Sequence, residues 1–301
     1  MKQLKPLAAA IGAMMLLGGS ASAYAIDTEV QFSTTGSGNG LDGSYNVVNV
    51  NEFDWQSSGD LNIESNITVN GAATTLAAYF GGGLAALGDT VVFDINAQGR
   101  LNDMLDPLGA SVNPPSLSAD GGATGTWEAT YVLDASETAT VINVAGATVL
   151  LFTGISGTTN WYYDSTPDSV VDTGAGFADG ISFLTASLVG VGGTFTAGVG
   201  GSSLLTMAVT GYNTAYIQTD PDANAPLIGA TYDTLVSLVS AGEASASTAG
   251  ETVGNHIVAA GDQTFKADAN SEFAGVPEPG TLFLLGAGLL GLGGLARRKA
   301  A

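Results

Sequence analysis

The 301-residue chain has no cysteine, one histidine, and seven Lys and Arg residues against 28 Asp and Glu. Without cysteine there is no disulfide framework, no thiol nucleophile and no cysteine-ligated zinc site. The lone histidine, His256, stands in a Ser/Ala/Thr/Gly-rich stretch, so a multi-histidine metal site is excluded and a triad base lacks its setting. A formal charge of −21 repels a polyanion, and no Lys/Arg cluster exists in the body to neutralise phosphates, so the chain is not a nucleic-acid binder. There is no Gly-x-Ser-x-Gly. The glycine runs Gly36-Ser37-Gly38-Asn39-Gly40 and Gly81-Gly82-Gly83 lack both the dinucleotide spacing and the Lys-Ser/Thr ending of a phosphate loop, and read as turns. No repeat of fixed period argues for a solenoid or propeller.

What is present begins at the termini. Lys2 and Lys5 precede an apolar run over 7–17 and then small residues to Ala25. That order is a secretory signal peptide over residues 1–25, with cleavage after Ala23 or Ala25. The run is short of the roughly 20 residues that span a bilayer, which argues against an uncleaved anchor. The other end reads Val276-Pro277-Glu278-Pro279-Gly280, an apolar Gly-rich stretch over 281–296, and Arg297-Arg298-Lys299. The prolines stop any helix and hold an accessible, extended peptide. The apolar stretch with its flanks is expected to form a transient transmembrane helix, with the basic cluster held on the cytoplasmic side.

This terminus, residues 276–301, resembles the PEP-CTERM sorting signal of exopolysaccharide-producing Gram-negative bacteria. The resemblance implies that an exosortase cuts near Pro277-Glu278-Pro279 and releases the body to the cell surface or extracellular matrix. Asn51-Glu52-Phe53-Asp54-Trp55 and Gly174-Ala175-Gly176-Phe177-Ala178-Asp179-Gly180-Ile181, each leading into an alternating strand, look like segments of flocculation-associated PEP-CTERM proteins. That second resemblance implies an adhesive role in cell aggregation within exopolysaccharide and carries over no catalytic residue.

With both ends removed, Arg100 and Lys266 are the only cations left among the acids. So acidic a body keeps copies apart at low salt and attracts cations. The stretch over 61–69 alternates apolar and polar side chains, the period of a strand with one buried face, and 127–133 and 205–210 repeat it. Further strands are expected over 45–50, 90–95, 138–144, 147–153 and 181–188. Val149-Leu150-Leu151-Phe152 reads as a central strand buried on both faces. The candidate helical stretches are 74–87, interrupted by glycines, and 233–241. The expected fold is all-β, an antiparallel β-sandwich or jelly-roll-like domain over 26–242, with terminal signal and sorting helices. A sub-boundary is expected near 113–122, at Asn113-Pro114-Pro115, and a flexible stalk over 243–275.

Three groups of residues raise a question of chemistry. Asp220, Asp222 and Asn224 place oxygen ligands at alternate positions, as a calcium loop does. Ala225 and Thr231 stand where an EF-hand needs Gly and Glu, however, so diffuse Ca²⁺ bridging between acidic chains suits the composition better than a defined metal site. Trp161, Tyr162 and Tyr163 are candidates for stacking on sugar faces, with core packing as the ordinary alternative. Acid pairs for glycoside hydrolysis depend on three-dimensional spacing that the sequence does not give. The expectation is a non-enzymatic, cofactor-free matrix or cell-aggregation protein that meets exosortase, exopolysaccharide and copies of itself. The alternatives are a carbohydrate-binding module and, more distantly, a polysaccharide hydrolase.

Overall fold

The computed structural model describes residues 29–274 apart from 42, 58, 83–84, 120–123, 145–146, 172, 197–199, 221–225 and 239–247. The signal peptide and the sorting segment therefore lie outside the described residues, and so do the helices expected there. Residues 27–275 form one compact unit, with no division near 113–122, which is part of the connection between two paired strands.

The strands in chain order are β1 (Val30–Phe32), β2 (Val47–Val50), β3 (Glu52–Trp55), β4 (Gly59–Val69), β5 (Ala72–Thr75), β6 (Thr90–Leu105), β7 (Glu128–Val144) and β8 (Ala147–Asp164). They continue with β9 (Ile181–Thr196), β10 (Gly200–Tyr212), β11 (Ile217–Thr219), β12 (Thr231–Leu238), β13 (Thr252–Val253), β14 (His256–Ile257) and β15 (Gln263–Ala274). A short π-type turn, Ala77–Gly81, follows β5.

β3 and β4 occupy one position in the sheet, because both pair antiparallel with β6 on one side and β15 on the other. From there β6, β7, β8, β9, β10, β12 and β15 follow as an antiparallel meander. β15 then pairs with β12, Leu235 opposite Asn270, and with β3, Phe53 opposite Ser271. The result is an eight-stranded, up-and-down antiparallel barrel in place of the expected sandwich. Strand alternation identifies a buried face equally in both architectures. What separates them is closure, and here the closing strand is β15, in the stretch expected to be a stalk. Phe265, Ala267, Ala269, Ser271 and Phe273 alternate inward there and are buried, so this stretch is barrel wall.

Inward positions carry Phe, Trp, Leu, Ile and Val, while the outer face of β7 and β8 carries Asp134, Ser136, Thr138, Ser156 and Thr158. This is the reverse of the apolar-out alternation of a membrane barrel. Among the described residues no helix is long and apolar enough to cross a membrane. The lower end of the barrel is plugged by the sheet β11-β1-β2, whose Phe32 meets Trp127 and Phe183 with ring centroids 5.6 and 5.3 Å away. Two excursions cover the outside of β6 and β7: the β8–β9 connection, with Phe177 buried, and the β13–β14 hairpin, with Val253 buried. They meet each other where Thr252 N–H donates to Thr173 O.

Three local expectations change. Residues 231–238 form β12 and not a helix, because Tyr232, Thr234 and Val236 face inward at period two. Among the described residues of 74–87, the helical element is the turn at Ala77–Gly81. Val149, Leu150 and Phe152 are buried but Leu151 is 37% exposed, so the burial of that segment on both faces is interrupted at Leu151.

Candidate functional site

A buried polar cluster lies where β7 begins, β8 ends and the β8–β9 connection folds back. Glu128, fully buried, accepts the N–H groups of Asp168 and Ser169 on Oε1 at 2.9 Å each and the Ser169 hydroxyl on Oε2 at 2.6 Å. Arg100, outward on β6, donates from Nε to Ser169 Oγ at 2.8 Å and from an Nη to Ser169 O at 3.1 Å, with its Nε 3.5 Å from Glu128 Oε2. Burying such a pair is tolerated because every charged group has partners.

Asp164 and Asp168 complete the cluster, each with a carboxylate oxygen within 4.8 Å of the others and of Glu128. Burial first, then Asp179 and Asp164, push the Asp168 carboxyl up. This is the one group of acids among the described residues close enough to share a hard cation. Its most buried member, however, already spends both oxygens on Arg100, Ser169 and two backbone N–H groups. The chemistry at hand is therefore that of a clasp fixing the connection to the barrel. Arg100 was the signal available in the sequence: a lone Arg within a strand of an acidic body needs an acid partner, and only the fold identifies it as Glu128.

A second clasp holds the β13–β14 hairpin against β4. His256 lies between Glu64 (Nδ1 to Oε1, 3.1 Å) and Asp262 (Nε2 to Oδ2, 2.8 Å). Asp262 also accepts the N–H of Ser65 at 2.7 Å and of Ala259 at 2.9 Å. Burial pushes the Asp262 carboxyl up, but the hydrogen bonds from Ala259, His256 and Ser65 outweigh it and hold the pKa below its ordinary value. A neutral imidazole donates to one of these carboxylates; the imidazolium donates to both.

The expected sugar-stacking residues are not available for that task. Trp161 is 1% exposed and faces inward, 4.9 Å from the rings of Phe53 and Trp55 and 5.1 Å from Tyr232. Tyr163 is also buried and donates its hydroxyl to Thr34 O at 2.6 Å. Only Tyr162 turns outward, and it is half-buried. The aromatic run is core because Trp161 and Tyr163 share the inward parity of β8. Beside Trp55, Tyr131 and Trp161 the lumen keeps a cavity with about 20 Å³ open to the centre of a water molecule, room for about one water. Of the calcium candidates, Asp220 accepts the N–H of Asn49 at 2.8 Å, while Asp222 and Asn224 lie outside the described residues. Ala23, Ala25, Pro277, Glu278, Pro279, Arg297, Arg298 and Lys299 also lie outside them.

The PEP-CTERM protein-sorting motif family matches residues 275–299. No curated protein and no solved structure matches the chain. The matched segment spans the Pro-Glu-Pro motif, the apolar stretch and the basic cluster, the three parts an exosortase substrate needs. The chain is thus a PEP-CTERM protein, exported by a bacterium and sorted to the cell surface through exosortase.

Proposed function

We propose that the barrel is a non-enzymatic, cofactor-free adhesive component of the extracellular matrix of a Gram-negative bacterium, of the flocculation-associated type. In this reading it bridges exopolysaccharide and other copies of itself through Ca²⁺ held diffusely on its acidic surface. The sorting motif at 275–299 carries the reading, because it directs the protein to the cell surface, where a matrix component would work. Two features support it. The body joins two cations to the chain's 28 acids, a surface made to gather divalent ions. The outer face of β7 and β8 also carries short Ser, Thr and Asp side chains, which present hydrogen-bonding groups to a hydrated polymer. With Trp161 and Tyr163 inside, contact with sugar runs through that wall and not through an aromatic platform.

The test incubates the exported chain with exopolysaccharide from the producing bacterium while Ca²⁺ is titrated, and follows co-sedimentation and new reducing ends together. Calcium-dependent sedimentation without new ends is the expected result. Calcium-independent binding would replace this reading with a carbohydrate-binding module, and new reducing ends would replace it with a hydrolase. Absence of sedimentation at every calcium concentration overturns it.

A further inference from the structure

β4 carries a chemical signal that neither the barrel nor the two clasps use. Of all the asparagines in the chain, only Asn66 has a hydroxyl residue at the second following position, in Asn66-Ile67-Thr68. Asn-x-Ser/Thr is the acceptor sequence for N-linked glycosylation of exported proteins. Glu64, two positions before the asparagine, completes the longer acidic form of that sequence used by bacterial transferases. The fold decides whether a folded barrel can carry a sugar there.

Side chains alternate along a strand, so Asn66 and Thr68 share one face and Ile67 takes the other. Ile67 is 3% exposed and belongs to the core, which turns Asn66 and Thr68 outward. Asn66 is exposed and Thr68 half-buried. Neither side chain holds the structure together. Among the described residues the Asn66 amide and the Thr68 hydroxyl take part in no hydrogen bond. Neighbouring asparagines are committed: Asn70 donates to Asp89 Oδ1 at 2.7 Å and Asn96 to Glu64 Oε1 at 3.2 Å.

The backbone around the acceptor is also unusual. The ladder of β4 with β15 ends at Ile63 opposite Gln263, and its ladder with β5 begins at Asn66 opposite Thr75. Against β6, Ile63 pairs with Ile95 and Ile67 with Phe93, so Glu64, Ser65 and Asn66 together stand opposite Asp94 alone. This bulge bends the strand, and its two extra residues leave the inward and outward parity unchanged. Of its three residues Glu64 and Ser65 are half-buried, and Asn66 is the one that stands clear.

We propose that Asn66 is a glycosylation site that carries an N-linked oligosaccharide on the outer wall of the barrel. The donor class is an oligosaccharide on a polyisoprenyl diphosphate, and a membrane transferase brings it to the exported chain. Asn66 Nδ2 forms a bond to the anomeric carbon of the first sugar while the bond from that carbon to the diphosphate oxygen breaks. Polyisoprenyl diphosphate leaves, and the transferase takes up the proton lost by the amide. The Thr68 hydroxyl is the group by which the transferase holds the acceptor. In the finished barrel Glu64 is held by Asn96 and by His256 of the β13–β14 hairpin. Transfer therefore takes place before the hairpin closes on β4, and the outward Asn66 lets the barrel fold with its sugar in place.

The experiment is mass spectrometry of the chain recovered from the surface of the producing bacterium, intact and as chymotryptic peptides. A mass increment of one oligosaccharide on the peptide that contains Asn66 is expected. It should be lost in Asn66→Gln and in Thr68→Ala, and kept in Thr68→Ser. Because neither side chain is hydrogen-bonded, these variants should fold as the parent does, which near-ultraviolet dichroism checks. An unmodified Asn66 peptide in the parent overturns the proposal. A sugar increment that persists in Asn66→Gln overturns it in favour of a hydroxyl-linked site, and one that persists in Thr68→Ala shows that the acceptor sequence is not what is read. The proposal does not rest on exopolysaccharide bridging, which the Asn66→Gln chain leaves open to the same calcium titration.

Discussion

The Ser169 hydroxyl donates to Glu128 Oε2 at 2.6 Å and accepts from Arg100 Nε at 2.8 Å, so one buried serine links two buried opposite charges. The β8–β9 connection is locked to the barrel through this atom. Glu128→Ala leaves the Arg100 guanidinium buried without its counter-charge, and loss of one partner of a buried pair costs about 3–5 kcal/mol. Ser169→Ala removes hydrogen bonds while leaving the ion pair, at a cost of about 1–3 kcal/mol. Urea unfolding of both variants checks the order, and equal midpoints would show that the serine rather than the charge pair carries the clasp.

Trp161 is core, and its replacement separates stability from recognition. Trp161→Ala empties the centre of the aromatic cluster and should cost about 3–5 kcal/mol. Below its lowered melting temperature the variant should sediment with exopolysaccharide as the parent does, since the ring never meets solvent. A selective loss of polysaccharide binding at unchanged stability would return Trp161 to the surface.

Trp161 also marks what the sequence made legible. The alternation over 61–69 identified β4, the same period located parts of β7 and β10, and the further strands expected between turn-forming clusters fall in β2, β6, β7, β8 and β9. Period two assigns side chains to faces, and the burial of Leu61, Ile63, Trp127 and Met207 follows from it. It does not report strand length. The expected strands 127–133 and 138–144 are one strand, because Asp134 and Ser136 between them are outward residues and not a turn. Nor does it report closure. The pairing of Phe53 with Ser271 joins residues over two hundred positions apart, and nothing local to the Ala/Ser/Thr/Gly-rich approach to β15 announces it. The Glu128 cluster was hidden for the same reason: Arg100, Glu128 and Ser169 come from three distant segments, and the acidic composition gives no means of choosing one acid among 28. Tyr162 was the one member of its triplet with the outward parity that sugar contact requires.

Glu137, buried on the inward face of β7, sets the sign of a pH dependence. Its folded pKa of about 7 lies above the ordinary 4.5, so the folded chain binds a proton more tightly than the unfolded one. Stability falls as pH rises from about 4.5 to 7 and then levels, at a total cost of roughly 3 kcal/mol. Glu137→Gln should match the parent near pH 4 and exceed it near pH 8, as measured by denaturant midpoints. A variant less stable than the parent at pH 8 would mean that the carboxylate has a partner in the folded protein.

Asp262 pulls the other way. Its pKa is held below the ordinary 3.8, so its contribution is complete above that value and is lost as pH falls through the lower, folded one. Asp262→Asn should therefore destabilise the chain at neutral pH and flatten the acid limb of its stability curve. The parent's β13–β14 hairpin should become protease-sensitive in acid before the barrel unfolds, and simultaneous loss of both would show that the hairpin has no stability separate from the wall it covers.

Replacement of Pro277-Glu278-Pro279 by three alanines tests the address independently of the barrel. The prolines keep the peptide extended, whereas alanines extend helix into the cleavage region and remove the acidic residue between them. The unprocessed chain should then remain in the membrane fraction with its apolar segment attached, longer on a denaturing gel by the uncut tail, and disappear from the cell surface. The barrel begins to close with β15, which ends at Ala274, just before the matched motif at 275, so folding of the exported body should be unaffected and the spectra of parent and variant should coincide. Surface delivery at the parental level would mean that recognition resides in the apolar stretch and Arg297-Arg298-Lys299 alone, leaving Pro-Glu-Pro as a spacer.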